Sequence, residues 1–523
     1  MTLFPIDSGQ ARTRLVEAGA VFAAVALIAG CGSSYRPVVT PINPSGPPAQ
    51  PNSLAVVISS PSPTQPGIAT IIDYSGDDIM AQQPIGVGPV AFAVDQAGAN
   101  GYTLNSDTTV TSFPVSTSLQ AKLVQNTTLS PTTRITGLFA PASGIWSSDL
   151  DQNVVDILAG SPPTFNLAIP VAPTPIAVVG PGASSQRNYS ISQNNTNTLA
   201  GSIIPYDTTC NTPSLFAGIV ANHQTGEADA LETSSHTVSA RIPVGACPVY
   251  AIENTDGDRL FVLNRADDTI TVINSQANTL DSCVCPATGC VNQNGRSYFC
   301  HPTLPISLNA VSQTGITPPN GITGMPKAAG PVYAEFNSAT DQLIVADYDG
   351  GTISVIDVSL DQFQNDSPTF GTTFTIPVGN NPASVTVVIA PDGTLRAYTA
   401  NQTDGTVSIV NLSSHTVLKT LQVNGHPRTV VSTANSLYGK VYVASPDSPL
   451  LSIIRTDLDI PDTTVLVTGN IVDVRVNSQN ATSGNSNNTS RMPGAGQPCY
   501  LPPSLEPSPT GTQTALQVCQ TIP

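Results

Sequence analysis

Charged side chains are scarce in this chain, and basic ones are the scarcest. Only 10% of the 523 residues are charged, lysine occurs four times, and the formal net charge is -17. Proteins that bind nucleic acid through its phosphates need clustered Lys and Arg, and the sequence contains no such cluster. We therefore predict that nucleic acid is not a partner, and that no basic patch holds the protein to anionic lipid.

Motifs for common catalytic and cofactor sites are missing too. The chain has no P-loop, no G-x-S-x-G elbow, no G-x-G-x-x-G after a strand and no C-x-x-C-H haem attachment. Only five histidines occur, and none is followed by the glutamate of a zinc-protease helix. We predict no catalytic residue, no metal site and no cofactor. What the chain has is 40 glycines and 47 prolines, a turn-rich composition that favours strands over helices.

The N-terminus has the order of a bacterial lipoprotein signal. Arg12 and Arg14 precede an apolar stretch at 18–30, which is too short to span a bilayer but suits a signal peptide. The segment "IAGC" that ends at Cys31 resembles the lipobox, whose cysteine is acylated. We predict a signal peptide at 1–30, lipidation of Cys31, and export to a bacterial membrane, at the outer membrane or periplasmic face. The alternative is a Sec signal followed by an incidental cysteine.

The remaining cysteines agree with export. Eight are left after Cys31, an even number, and in an oxidising compartment they are best interpreted as disulfides: Cys210, Cys247, Cys283, Cys285, Cys290, Cys300, Cys499 and Cys519. The alternative is a metal site, but the spacing of the four cysteines at 283–300 lacks paired C-x2-C knuckles. Proximity in sequence favours the pairs Cys210–Cys247 and Cys499–Cys519.

A long stretch of the sequence repeats. "IPVGACPVYAIENTDGDRLFVLNRADDTITVINS" at 242–275 recurs as "IPVGNNPASVTVVIAPDGTLRAYTANQTDGTVSIVNL" at 376–412. Each unit holds four alternating apolar runs separated by turn residues, which predicts a four-stranded antiparallel sheet. A proline marks the start of each clear unit: Pro89, Pro175, Pro248, Pro331, Pro382 and Pro427. A weaker unit fits at 135–160. A period near 40 to 50 residues with four strands is typical of a β-propeller blade.

The units resemble the YVTN-type β-propeller repeat. The resemblance is plainest at 259–274, 342–357, 396–411 and 440–455, in stretches such as "RAYTANQTDGTVSIVN". It implies an extracytoplasmic propeller, mostly of seven blades, often with no known activity. The single tryptophan, Trp146, disfavours the tryptophan-docked quinone dehydrogenases among eight-bladed propellers.

The two ends of the repeat region predict how the ring closes. The run at 470–478 has the pattern of an innermost strand with no partners after it, and three strands between 54 and 88 lack an innermost strand before them. Sharing one sheet would hide edges that otherwise pair with other chains. We predict an all-β propeller at 54–478 with eight blades, seven being the alternative. A Pro/Ser-rich tether at 31–53, insertions at 199–226 and 281–328, and a low-complexity tail at 479–523 complete the chain.

Two sets of polar residues are candidates for a site on the ring. Aspartates recur between the second and third strands, where they could bind cations but where tight turns also favour Asp; we prefer the structural role for Asp107, Asp267, Asp349, Asp404 and Asp447. The glutamates Glu253 and Glu335 lie at offsets that send them to opposite faces, so we expect no acid and base pair. "SSHTV" recurs at His236 and His415, which predicts a shared hairpin geometry.

The mouth of the central channel holds the best binding candidates, because the inner strands converge there. His426 and Arg428 flank Pro427, and Tyr250 and Tyr333 follow Pro248 and Pro331 at matching steps. We predict a monomeric, lipid-anchored binding or scaffolding module, not an enzyme, whose partner is an envelope protein or glycan and which touches the membrane through its anchor alone. The alternative is a lactonase-like hydrolase acting at the channel mouth.

Overall fold

A computed structural model describes residues 53–129, 135–141, 144–150, 152–180, 187–194, 225–281, 290–291, 297–298, 305–308, 329–433 and 439–477. These ranges contain 35 strands, one 3-10 turn at Ala121–Leu123 and no α-helix. Accordingly, no helix in them has the length and hydropathy needed to cross a membrane. The described chain is all-β, as its composition predicted.

All strands but one separate two-stranded hairpin form eight antiparallel sheets, numbered here as blades I to VIII along the chain. Blade I contains β1 (Leu54–Ser60), β2 (Pro66–Asp73) and β3 (Ile79–Val87), and blade II contains β4 (Pro89–Val94), β5 (Asn100–Asn105), β6 (Thr109–Pro114) and β7 (Gln125–Thr128). Blade III contains β8 (Ile135–Phe139), β9 (Ile145–Asp149), β10 (Val154–Ala159) and β11 (Thr164–Pro170). Blade IV contains β12 (Pro175–Val179), β13 (Arg187–Ser192), β14 (Thr225–Glu232) and β15 (Val238–Ala246). Blade V contains β16 (Pro248–Glu253), β17 (Arg259–Asn264), β18 (Thr269–Asn274) and β19 (Thr279–Leu280).

Between blades V and VI, the short strands β20 (Cys290–Val291) and β21 (Ser297–Tyr298) pair as a hairpin, and β22 (Ile306–Ser307) pairs with β18. Blade VI contains β23 (Pro331–Asn337), β24 (Gln342–Asp347), β25 (Thr352–Asp357) and β26 (Thr373–Pro377). Blade VII contains β27 (Pro382–Ile389), β28 (Leu395–Asn401), β29 (Thr406–Asn411) and β30 (Thr416–Gln422). Blade VIII contains β31 (Thr429–Ser432), β32 (Lys440–Ala444), β33 (Leu450–Arg455) and β34 (Ile460–Leu466). The last strand, β35 (Asn470–Val476), is the fourth member of blade I.

The first and last strands of the propeller share one sheet. β35 pairs antiparallel with β1, in the register Ala55↔Val476, and the order of blade I is β3-β2-β1-β35. The innermost strands β35, β4, β8, β12, β16, β23, β27 and β31 each contact the next, and β31 contacts β35 again. The chain therefore closes into an eight-bladed β-propeller. The weak unit at 135–160 forms blade III, so the prediction of eight blades is confirmed over seven.

Burial falls from the centre of the ring to its rim. Every residue of β16, β17 and β23 is buried, whereas in the outermost strand β30 only Leu421 is buried. Inner and middle strands lie between two neighbouring blades, so both of their faces need apolar side chains. This explains near-continuous apolar runs such as "RLFVLN" in β17 and the polar, alternating pattern of the outer strands.

The outer edge of blade V is built from two pieces. β19 pairs with one end of β18 through Ile273↔Leu280, and β22 pairs with the other end through Thr269↔Ser307. The outer edge of blade V therefore includes Ile306–Ser307, which lie within the range 281–328 predicted as an insertion.

Basic side chains connect successive blades. Each of these side chains lies at or next to the start of a second strand and donates to the turn that follows the third strand of the next blade. The contacts are Arg187 Nη1 to the Ser275 carbonyl (3.3 Å), Arg259 Nη2 to the Gln364 carbonyl (3.1 Å), Arg396 Nη1 to the Asp459 carboxylate, and Lys440 Nζ to the Asp77 carboxylate (2.5 Å). Two residues further on, the hydroxyls of Tyr189 and Tyr398 donate to Asn278 and Asp459 in the same turns. Because Lys440 belongs to blade VIII and Asp77 to blade I, one of these ion pairs crosses the seam of the ring.

Candidate functional site

The face where the innermost strands begin carries the turns between second and third strands, and aspartates fix four of these turns. Each carboxylate accepts a hydrogen bond from the backbone N–H of the residue that leads into the innermost strand of the same blade: Asp107 from Val87, Asp267 from Ala246, Asp404 from Asn380, and Asp447 from His426. A carboxylate that tethers a turn to its own blade has a structural role. This geometry agrees with the structural interpretation of the repeated aspartates.

Asp349, the fifth aspartate of the predicted ring, has a different partner. Both of its oxygens accept hydrogen bonds from Arg265 in the corresponding turn of blade V, at 3.0 and 2.9 Å, and both side chains are buried. The Arg265 guanidinium also lies 5.3 Å from the centre of the Tyr348 ring, within cation–π range. The Tyr348 hydroxyl in turn donates to Gln402 of blade VII at 2.9 Å. These contacts join the turns of blades V, VI and VII.

The two tyrosines predicted at the channel mouth lie together. Tyr250 is the third residue of β16 and Tyr333 the third residue of β23. Their ring centroids are 4.7 Å apart with an interplanar angle of 42°, and both side chains are buried. Equal steps from their prolines on adjacent innermost strands bring them into contact, which is the reason that the sequence pattern singled them out.

The other two predicted residues, Arg428 and His426, differ in their exposure to solvent. Arg428 lies just before β31 and is buried, with its N–H donating to the Ala444 carbonyl at 2.9 Å and its own carbonyl accepting from Ser384 at 2.8 Å. The His426 imidazole is exposed and its Nδ1 lies 2.5 Å from an Asp447 oxygen. Burial opposes ionisation of Asp447, but hydrogen bonds from His426 hold the pKa of that carboxyl below its ordinary value. The structure thus brings the two tyrosines into contact, whereas Arg428 is buried and the His426 imidazole is exposed.

Buried polar residues at the ends of the second strands explain the recurrent asparagine of the repeat. The side-chain amide of this asparagine donates to two hydroxyls on the third strand: Asn105 to Thr109 and Thr111, Asn264 to Thr269 and Thr271, and Asn401 to Thr406 and Ser408. Blade VI has Asp347 at this position, and its carboxyl accepts from Thr352 and Ser354. Burial raises the pKa of Asp347 to about 7. Our sequence prediction missed this carboxyl, although an Asp among aligned Asn residues was a usable signal.

The two glutamates of the innermost strands face different surroundings. Glu335 accepts a hydrogen bond from the Val387 N–H of blade VII at 2.9 Å. Glu253 is buried beside Ser275 and Asp258 of its own blade, and burial raises its pKa to about 8. They do not converge on one point, in agreement with the alternation of the strands. His236 and His415 both occupy left-handed turn positions, at φ 55° and 54°, as the shared "SSHTV" predicted.

Cysteine and metal chemistry can be assessed only in part. Cys247 is disulfide-bonded, immediately before β16. The side chains of the other seven predicted disulfide cysteines, together with Cys31, His223 and His301, lie outside the described residues. The described part of the chain contains no group of three or more His, Cys, Asp or Glu side chains arranged to hold a metal ion. The individual cysteine pairs stay predictions.

Comparisons with known proteins bear on the fold. No protein-family model matches the chain, and no curated protein matches it significantly. Solved structures match in large numbers, 1251 chains in all. One is apo AztD from Citrobacter koseri, which is 11% identical, with 83% of this chain and 98% of that chain covered and a TM-score of 0.50. At such low identity a likeness shows architecture only. The shared feature is the β-propeller fold.

Two further structures match at similarly low identity. The dihydro-heme d1 dehydrogenase NirN, in complex with DHE, is 12% identical over 83% of this chain and 77% of that chain, with a TM-score of 0.50. A 6-phosphogluconolactonase-like protein from Bacteroides fragilis is 13% identical over 81% of this chain and 98% of that chain, with a TM-score of 0.44. The function of this chain must therefore be argued from its own residues.

Proposed function

We propose that this protein is a lipid-anchored, extracytoplasmic β-propeller that serves as a binding or scaffolding module at the bacterial cell envelope, with an envelope protein or glycan as its partner. The proposal rests most on the turns of the face where the innermost strands begin. Their exposed polar groups are held by paired hydrogen bonds: Asp107 with Thr109, Asp404 with Asn380, and Asp447 with His426. A surface that is ordered before binding loses little conformational entropy when a partner docks.

The lipid anchor is the first part of the proposal to test. Changing Cys31 to serine removes the thiol that would be acylated, so the exported protein should move from the membrane fraction to the soluble fraction, because the acyl chains supply the membrane affinity. Fractionation followed by immunoblotting measures this. Ser34→Ala, three residues later, is the matched control and should stay with the membrane. Retention of the Cys31→Ser protein in washed membranes would show that the lipobox prediction is wrong.

The binding face is the second part. A photoreactive amino acid in place of His426 keeps the backbone N–H that binds Asp447, so the turn should retain its conformation. In living cells this position should give a discrete crosslinked species containing an envelope component, because the imidazole it replaces is exposed on the proposed face. The same amino acid in place of Leu418, exposed on the outer strand of blade VII, should not give that species. Equal products at both positions, or lactone hydrolysis by the purified protein, would contradict the proposal.

A further inference from the structure

Blade IV differs from blade V at the polar position where the second and third strands meet. In blade V the amide of Asn264 on β17 donates to Thr269 and Thr271 on β18. In blade IV the hydroxyl groups lie on the second strand and the third strand carries carboxyl groups: β13 has Ser190 and Ser192, and β14 has Glu227 and Asp229. Two hydroxyls on one strand therefore face two carboxyls on the next.

The strand register places these four side chains on one face of the sheet. Ser190 is the pairing partner of Asp229, and Ser192 is the partner of Glu227. Directly paired residues of an antiparallel sheet point to the same side with their Cβ atoms about 4.5–5.5 Å apart. Two hydroxyls and two carboxyls therefore lie on one face of this strand pair.

Several of these oxygens are buried without a hydrogen bond. Ser190, Ser192 and Asp229 each have 0% exposure. Among the described residues, the hydroxyls of both serines and Oδ1 of Asp229 have no hydrogen-bond partner, and the same is true of Oε1 of the adjacent Gln193. Leaving a buried polar group unsatisfied costs on the order of 1–3 kcal/mol, and native proteins contain few such groups. Four in one blade indicate that a group other than the described residues satisfies them.

The other contacts leave these oxygens oriented but not neutralised. Oδ2 of Asp229 accepts the Ala172 N–H at 2.6 Å, which fixes the carboxyl. Arg241 Nη1 lies 3.3 Å from Glu227, whose side chain is 23% accessible. Of the four side chains, Glu227 is therefore the one that meets solvent.

We propose that Ser190, Ser192, Glu227 and Asp229 form a binding site for a hard divalent cation, with Ca²⁺ as the ion that fits best. All four side chains offer oxygen, the donor that Ca²⁺ and Mg²⁺ take. Ca²⁺ accepts six to eight oxygens in irregular geometry, so water entering past Glu227 completes the shell, whereas Mg²⁺ demands a near-ideal octahedron. A bound cation would also neutralise the repulsion between the two carboxylates.

Calcium titration of the full-length purified protein tests the site. The thermal unfolding temperature should rise with Ca²⁺, with an apparent Kd on the order of 0.1–1 mM, and return in EDTA. Magnesium should have a smaller effect. In Glu227→Gln, a partly exposed position where folding should survive, Ca²⁺ should bind about tenfold more weakly or worse. Asp229→Asn should abolish the shift.

The matched control is Asp156→Asn in blade III. Asp156 is a buried carboxyl on the third strand and pairs with Ser147, so its loss should change stability but leave the calcium shift intact. Isothermal titration calorimetry of the same proteins measures binding directly and does not depend on unfolding. No calcium effect on the unchanged protein would mean that ordered water alone satisfies these oxygens, and an equal effect in Glu227→Gln would place the ion elsewhere. Either result overturns the proposal.

Discussion

Replacing Lys440 with methionine should destabilise the propeller by about 3–5 kcal/mol, because it removes the cationic partner of the buried Asp77 carboxylate. The ammonium and carboxylate are 2.5 Å apart, with side chains only 3% and 5% exposed. The pair joins blade VIII to the N-terminal strands of blade I, which are held to the last strand, β35, by strand pairing and not by the chain. A lower urea midpoint at unchanged slope measures the loss.

Two further variants separate charge from packing at the seam. The double variant Lys440→Met with Asp77→Leu removes both charges and should recover most of the stability. Asp457→Asn is the control: Asp457 pairs with Arg455 inside blade VIII and is 22% exposed, so its loss should cost less than about 1 kcal/mol. If Lys440→Met and Asp457→Asn cost the same, the pair at the seam makes no special contribution to closure.

Asp347→Asn should stabilise the protein at pH 8, by a smaller amount at pH 5, and by little below about pH 4. The folded-state pKa of Asp347 is raised from 3.8 to about 7 by burial. The folded protein therefore holds a proton that the unfolded chain releases, so stability is full below about pH 4 and falls as pH rises to about 7. The asparagine has no charge to bury, and at pH 8 the gain should be on the order of a few kcal/mol.

The geometry of blades V and VII shows that asparagine fits at the position that Asp347 occupies in blade VI. Asn264 and Asn401 each have one buried oxygen without a hydrogen bond, as Asp347 does, and each donates to two hydroxyls of the third strand. The reciprocal change Asn401→Asp should introduce a new loss of stability above neutral pH. Thermal melts of both variants from pH 5 to 8 provide the measurement. If the stability of Asp347→Asn varied with pH as that of the unchanged protein does, the Asp347 carboxyl would not be the cause of the pH dependence.

The architecture was predictable because its signals are local. Alternating runs of four to seven residues and turns rich in Asp, Asn and Gly specify strands and hairpins without reference to distant residues. The unpartnered runs near 54–88 and 470–478 were enough to predict the composite blade, which the pairing of β1 with β35 confirms. Tyr250 and Tyr333 were found together for the same reason, since equal offsets in adjacent repeats become equal heights in the ring.

The interactions between blades were not predictable. Lys440 and Asp77 are 363 residues apart in sequence, and Arg396 reaches Asp459 in a turn of the next repeat as well as Asp392 in its own. Arg428 and His426 are two residues apart, yet one is buried and the other exposed. The unsatisfied oxygens of blade IV also escaped notice, because Ser190 and Asp229 are separated by an insertion and become neighbours only through the register of β13 with β14.

The sequence by itself determined the strands, the number of blades and the sheet in which the two ends meet, because period-two hydrophobicity and turn chemistry act over a few residues. Only the tertiary structure decided which Asp carboxyls tether turns, which cross a blade interface and which keep a proton near neutral pH. Those properties depend on burial and on the nearest opposite charge, and residues from different blades supply both.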